Sequence, residues 1–308
     1  MSPAGKKCDD PMADPVVEYF EFTYPRRSSD FGLRIQCPPR MVFGVVDMIG
    51  HPHGLRWRNY IRVLNRFIAE LLRHTQTVGT LDEIVAALRE HLLWHDRQIY
   101  EFRMAHDRSA FGFCLILAVV DSTGARLMWL GDCRAYRVRR LSARSADRPA
   151  VFDVECLTQD HNALGQTLEQ RGELTIYQAQ LPEMTKRLSA FLGIGVEPVV
   201  RGLLEHSVAL PPLTADQCIL LMTDGIYMPH LRAQLEGIQQ RLSRTQYYLE
   251  TWLADRLSAA DERIPRNEFN YWPELATILV EETLDLTRRR RHYRDDMALV
   301  GIYLAEAE

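Results

Sequence analysis

The stretch MVFGVVD, from Met41 to Asp47, is a short apolar run that predicts a buried strand and ends in an aspartate. A second run, ILLMT, leads into Asp224, and near the C-terminus Asp295 precedes the run MALVGI. Each aspartate alone could simply cap a turn or a helix. Paired strands, however, can bring their ends to one edge of a sheet, where three carboxylates would repel one another without a cation. An all-oxygen cluster favours Mg²⁺ or Mn²⁺ over Zn²⁺.

The composition is that of an ordinary globular protein. Of 308 residues, 46% are apolar and 25% charged, and the net charge is −4. A general nucleic-acid-binding domain would be basic, so we expect no nucleic-acid partner. The longest wholly apolar run, Phe113–Val120, is far shorter than the ~18 residues of a membrane span, so we expect no membrane partner. Six cysteines without a CxxC pair indicate reduced thiols in a cytoplasmic protein.

The hydrophobic pattern predicts one α+β domain after a flexible tail at residues 1–15, which holds three prolines. The last strand must join a sheet begun earlier in the chain, which indicates one antiparallel architecture rather than two domains. The predicted strands are Val16–Thr23, Phe31–Cys37, Met41–Val46, Phe111–Val120, Arg126–Leu130, Ala135–Arg139, Val151–Leu157, Gly202–Ala209, Gln217–Met222 and Ala298–Leu304. The predicted helices are Trp57–Leu71, Leu81–Phe102, Asn162–Arg171, Leu235–Leu257 and Pro273–Thr287.

Six stretches, in this order along the chain, resemble the motifs of the metal-dependent PPM (PP2C-type) Ser/Thr protein phosphatases. They are FGVVDMIG at Phe43–Gly50, LGDCRAYRV at Leu130–Val138, LTQDH at Leu157–His161, RLSAFLGIG at Arg187–Gly195, LLMTDGI at Leu220–Ile226 and RDDMALV at Arg294–Val300. The resemblance implies a four-layer α-β-β-α sandwich of two mainly antiparallel sheets flanked by helices. It covers residues 16–305, with a helical elaboration at about 227–293. The loop VVDMIGHPHG also resembles the SpoIIE-like branch of these phosphatases.

The resemblance also implies a set of metal ligands. Asp47, Asp224 and Asp295 match carboxylate ligands of the family, and they would hold two Mn²⁺ or Mg²⁺ ions. Met48 stands where the family has a glycine whose main-chain carbonyl binds metal. Asp30 resembles the aspartate of the N-terminal family motif. Asp107 matches a ligand of a third, loosely held ion.

Two further residues are candidates for the chemistry itself. Arg26 could bind the phosphate through its planar fork. His51 directly follows the metal-loop motif and could donate a proton to the leaving group. Together these residues imply hydrolysis of phosphoserine or phosphothreonine on a protein substrate by a metal-activated water, opposing a cognate Ser/Thr kinase.

The alternative is a pseudophosphatase, a binding module that recognises a phosphoprotein or a kinase without turnover. Met48 in place of the family's glycine, the altered N-terminal motif and FGFC in place of MGTT favour it. The retained set of Asp47, Asp224 and Asp295 favours the enzyme.

Overall fold

The computed structural model describes residues 17–24, 30–37, 39–49, 65–66, 69–70, 73, 79–105, 111–142, 149–177, 180–235, 239–264, 271–289 and 295–304. Its strands are β1 (Val17–Tyr24), β2 (Phe31–Cys37), β3 (Arg40–Ile49), β4 (Gly112–Asp121), β5 (Gly124–Leu130), β6 (Arg134–Ser142), β7 (Val151–Cys156), β8 (Glu173–Tyr177), β9 (Val208–Leu210), β10 (Gln217–Met222), β11 (Gln239–Ser243) and β12 (Met297–Leu304). Its helices are α1 (Leu81–Ala105), α2 (Ala163–Arg171), α3 (Leu181–Lys186), α4 (Glu197–Glu205), α5 (Asp224–Gln234), α6 (Arg244–Tyr247), α7 (Glu250–Asp261) and α8 (Tyr271–Arg289).

The strands form two five-stranded sheets in which every neighbouring pair is antiparallel. The first sheet has the order β1-β12-β10-β6-β7, and the second has the order β2-β3-β4-β5-β9. A small separate sheet pairs β8 with β11. The last strand, β12, lies inside the first sheet between β1 and β10, as the sequence predicted.

Alternating side chains on the strands explain the layers. Phe43, Ile116, Ile219 and Val300 belong to a buried cluster to which strands of both sheets contribute. On the far side of the second sheet, Leu88 of α1 lies in a separate cluster with strand residues of β3 and β4. Helices α5, α7 and α8 share a third cluster with the other face of the first sheet. The expected four-layer α-β-β-α sandwich is therefore confirmed.

Two predicted elements are wrong. The predicted helix Leu235–Leu257 contains strand β11, and its helical part begins only at Arg244, where Ser243 and Gln246 form a capping box. Leu249 then adopts a positive φ of 59°, which separates α6 from α7. The predicted strand Gly202–Ala209 is instead the end of α4 followed by the short β9.

Several predicted segments fall partly or wholly outside the described residues. These are the tail at 1–15, most of the predicted helix Trp57–Leu71, and the Arg294 end of the last motif. Helix α1 begins as expected, because Thr80 and Glu83 exchange hydrogen bonds in a capping box. Within the described part of the chain, no helix combines the length and apolar character needed to cross a membrane.

Candidate metal centre

Five aspartates from five separate parts of the chain meet at one edge of the sandwich, and we call them the acidic cluster. Its members are Asp30, Asp47, Asp132, Asp224 and Asp295. Four of them line a cavity of about 340 Å³. Asp30 is 1% exposed and does not line the cavity, but it hydrogen-bonds to Asp47, which does.

The sheet register explains how these residues come together. Asp47 near the end of β3 lies directly opposite Cys114 of β4. Asp132 sits in the tight turn between β5 and β6, where Gly131 has a φ of +93°. A Cβ at Gly131 would lie 2.3 Å from the Sγ atom of Cys114. Glycine is therefore required for this turn to approach β4.

Asp224 and Asp295 are brought together where β10 ends and β12 begins. The backbone N–H of Thr223 donates to the carbonyl of Ala298, 3.0 Å away. The N–H of Ala298 donates in return to the hydroxyl of Thr223, also 3.0 Å away. Gly225 allows this junction, because a Cβ there would lie 1.9 Å from the carbonyl oxygen of Asp296.

Burial, and after it the crowding of like charges, raises the pKa values of the cluster. Burial raises the pKa of Asp30 and of Asp132 to about 7, and repulsion from neighbouring carboxylates adds to the effect. Burial, followed by repulsion from other members of the cluster, raises the pKa of Asp47 and of Asp224 well above the usual range. Partial loss of hydration is the main cause that raises the pKa of Asp295, although part of this residue is exposed at the rim of the cavity.

These carboxylates fit a divalent cation. The hydrogen bond between the carboxyl groups of Asp30 and Asp47 requires that one of them carries a proton. A bound cation would remove that requirement by neutralising several carboxylates at once. Oxygen atoms of Asp47 and Asp132 and the sulfur of Cys114 all lie within 4.8 Å of one another. Hard oxygen donors in this number suit Mn²⁺ or Mg²⁺.

Of the site residues predicted from sequence, the structure brings Asp30, Asp47, Asp224 and Asp295 together, and Met48 also lines the cavity. Arg26, His51 and Asp107 lie outside the described residues.

Three charged residues at the cavity were not predicted as site residues. Asp132 belongs to the GDCRAY stretch, whose position in a tight turn beside a strand was the available signal. Lys186 and Arg232 line the same cavity and bring positive charge to it. The positive charges of both residues lower the pKa of Asp295, but the loss of hydration raises it by more. Their spacing from the aspartates carries no sequence signal, because α3 and α5 reach the cavity only through the tertiary fold.

A buried polar network contacts the turn that carries Asp132. The hydroxyl of Tyr227 donates to the main-chain carbonyl of Asp132 over 2.8 Å. The guanidinium of Arg134 lies 3.7 Å from the ring centroid of Tyr227 and pairs with Asp160. The turn that carries Asp132 is thus held by contacts from both the sheet and α5.

Comparison with solved structures identifies the fold. PppA, a key regulatory component of T6SS in Pseudomonas aeruginosa, is 16% identical with a TM-score of 0.57, covering 94% of this chain and 97% of that one. The Ser/Thr phosphatase Stp1 from Staphylococcus aureus is 15% identical with a TM-score of 0.57, covering 96% of each chain. The catalytic domain of the protein phosphatase PstP, in complex with two manganese ions, is 16% identical with a TM-score of 0.52, covering 94% of this chain and 99% of that one.

These neighbours are PP2C-type Ser/Thr phosphatases, so the resemblance inferred from the motifs is confirmed at the level of the fold. By sequence, no family model and no curated protein matches the chain.

Proposed function

We propose that this protein is a metal-dependent phosphatase that hydrolyses phosphoserine or phosphothreonine on a protein substrate. The observation that carries the proposal is the acidic cluster at one cavity, which Lys186 and Arg232 also line. Clustered carboxylates without a cation would only destabilise the fold, whereas a dimetal site uses them. The PstP neighbour in complex with two manganese ions supports Mn²⁺ as the metal, and Mg²⁺ is the alternative.

In the proposed mechanism each part of the cavity has a separate task. Divalent ions supply a water of lowered pKa and charge stabilisation when they are bound. Asp47, Asp132 and Asp224 would hold the ions, and Asp30 would orient Asp47 through their hydrogen bond. Lys186 and Arg232 attract the phosphoryl oxygens and orient the phosphorus toward the water. No side-chain nucleophile is required.

Residues proposed from sequence complete this scheme. His51 would protonate the departing serine or threonine oxygen, and Arg26 would add a bidentate contact to the phosphate. Met48 would contribute a main-chain carbonyl, Asp295 a carboxylate, and Asp107 a ligand to a third ion.

The proposed setting is the cytoplasm, opposite a cognate Ser/Thr kinase. Four described cysteines, Cys114, Cys133, Cys156 and Cys218, are buried free thiols. Reduced thiols of this kind are typical of a reducing compartment.

The test is hydrolysis of an aryl phosphate and of a phosphothreonine peptide by the full chain, with Mn²⁺ and with a chelator. We expect turnover only with metal, and a loss of roughly 100-fold or more in Asp224→Asn, since a metal ligand supplies several kcal/mol to the transition state. The matched control is Asp153→Asn, which changes an exposed aspartate on β7. Turnover that survives chelation would contradict the proposal.

The same assay separates the alternative. Calorimetric binding of Mn²⁺ and of phosphopeptide without turnover by the wild-type chain would indicate the pseudophosphatase. Turnover in the wild-type chain, lost in Asp224→Asn, would exclude it.

A further inference from the structure

Cys114 is an unusual neighbour for a cluster of carboxylates. Its Sγ atom lies within 4.8 Å of oxygen atoms of both Asp47 and Asp132, and its thiol hydrogen-bonds to the Asp132 carboxyl. The cavity itself is lined by Asp47 and Asp132. The thiol of Cys114 is fully buried and lies beside these two cavity residues.

We propose that Asp47, Cys114 and Asp132 form a mixed oxygen–sulfur site that binds a thiophilic divalent cation, such as Zn²⁺, in competition with Mn²⁺ or Mg²⁺. The inference concerns the cavity of the proposed phosphatase, and it rests on that function only for its effect on turnover.

The backbone holds the three donors in place. Asp47 and Cys114 are direct cross-strand partners, so their side chains leave the same face of the sheet. Gly131 lets the next turn approach the thiol closely enough to add Asp132. Two strands and a glycine turn therefore fix the backbone positions of the three donors, whose ligand atoms lie within 4.8 Å of one another.

The chemistry of the donor atoms determines which metal ions the site binds most tightly. A tetrahedral zinc ion with a sulfur at about 2.3 Å and oxygens at about 2.0–2.2 Å needs three protein donors and a water. Thiolate selects Zn²⁺ over Mn²⁺ and Mg²⁺, which prefer oxygen. On binding, the S–H bond of Cys114 breaks, a metal–sulfur bond forms, and the proton leaves to solvent.

A consequence for the proposed enzyme is inhibition by soft metals. An ion bound by Cys114 also coordinates Asp47 and Asp132, so these two carboxylates are no longer available to bind Mn²⁺. A cluster of oxygen donors without the thiol would have no added preference for thiophilic ions beyond the usual order of divalent-metal affinities.

The test uses Co²⁺ as a spectroscopic probe on the full chain, with bound cobalt measured by equilibrium dialysis. We expect a thiolate-to-cobalt charge-transfer band in the wild type and its loss in Cys114→Ser, together with an affinity for Co²⁺ that is about tenfold or more weaker. Asp47→Asn should also lose the band, because the thiol alone does not hold the ion.

The matched control is Cys133→Ser. Cys133 is equally buried and sits beside Asp132, but it is outside the donor triad. We expect this variant to keep the band. A band that persists in Cys114→Ser, that is lost in Cys133→Ser alone, or that is absent from the cobalt-loaded wild type would overturn the proposal.

Two further measurements keep the result interpretable. X-ray absorption of the zinc-loaded wild type should detect one sulfur at about 2.3 Å, and this needs no variant to fold. Mn²⁺-dependent hydrolysis is measured in parallel. A charge-transfer band in a chain without turnover upholds this inference and contradicts the phosphatase, whereas turnover without the band does the reverse.

Discussion

Arg134 and Asp160 form a bidentate ion pair that is wholly excluded from solvent. The Nε and Nη2 atoms of Arg134 donate to the two carboxylate oxygens of Asp160 over 3.0 and 2.9 Å, and both side chains are 0% exposed. The Arg134 guanidinium also lies within 5 Å of the ring centroids of Tyr227, Tyr247 and Tyr248. This pair joins β6 to the loop before α2. Its arginine, Arg134, lies two residues after Asp132 in the chain.

Asp160→Asn is therefore expected to be strongly destabilising. It leaves the buried guanidinium without its counter-charge, which costs about 3–5 kcal/mol when one partner of a buried pair is removed. The free energy of unfolding in urea measures the loss. In contrast, Asp153→Asn breaks the exposed pair with Arg139 and should cost about 1 kcal/mol or less. Equal losses in the two variants would show that burial does not govern the Arg134 pair.

Gly131→Ala is the second expected destabilisation. The alanine would have to adopt a positive φ, and its Cβ would meet the Sγ atom of Cys114 at 2.3 Å. From these two effects we expect the free energy of unfolding to fall by about 2 kcal/mol or more. The affinity for divalent metal should also weaken, because β4 and the Asp132 turn must separate.

The matched control is Gly202→Ala in α4, where no atom apart from the adjacent helix backbone lies within 4 Å of the added Cβ. This change should stabilise the protein by about 0.4–1 kcal/mol, because alanine is the better helix former. Thermal melts of both variants give the comparison. A neutral Gly131→Ala variant would contradict the close approach to Cys114.

Asp224→Asn should have opposite effects on stability with and without metal. In the chelated protein it removes a buried ionisable carboxyl and, with it, the repulsion by Asp295, Asp132 and Asp30, so we expect a gain on the order of 1 kcal/mol. With saturating Mn²⁺ it removes a ligand, so the stabilisation by bound metal shrinks. Melting temperatures with a chelator and with Mn²⁺ test both signs. A variant that is destabilised in both conditions would indicate a structural role for Asp224.

The sequence predicted the elements that are determined by local pattern. The strands beside Asp47, Asp224 and Asp295 carry apolar runs. Asp224 and Asp295 lie together at the ends of the paired strands β10 and β12, as expected, whereas Asp47 reaches the same cavity from β3 of the facing sheet. Helix α4 was missed because Val200 and Leu204, four residues apart, are its only fully buried apolar positions. Strand β11 was missed because its partner, β8, lies more than sixty residues earlier, and pairing at that distance is set by tertiary structure.

The site was predictable only in part for the same reason. Asp47, Asp224 and Asp295 adjoin strands and could be found from the runs beside them. Lys186 and Arg232 reach the cavity from helices whose positions depend on the packing of α3 and α5. The contribution of Cys114 depends on the strand register, which a single sequence does not determine.

The last prediction concerns pH. The folded protein raises the pKa of Asp30 and Asp132 from 3.8 to about 7, so between these values it binds more protons than the unfolded chain. The stability that these groups contribute is therefore complete below about pH 4 and is lost as the pH rises through 7. Each proton changes the free energy of unfolding by at most about 1.4 kcal/mol per pH unit.

Buried histidines act in the opposite sense and must be separated from this effect. Burial lowers the pKa of His95 and His161 to about 4, so these groups withdraw stability as the pH falls below 6.5. They are not in the acidic cluster, and the difference in unfolding free energy between Mn²⁺-loaded and chelated protein cancels them. We expect this difference to grow as the pH rises from about 5 to about 8, because metal competes with protons for the carboxylates. Asp30→Asn should flatten the rise, whereas a difference that is independent of pH would show that the cluster does not bind the metal.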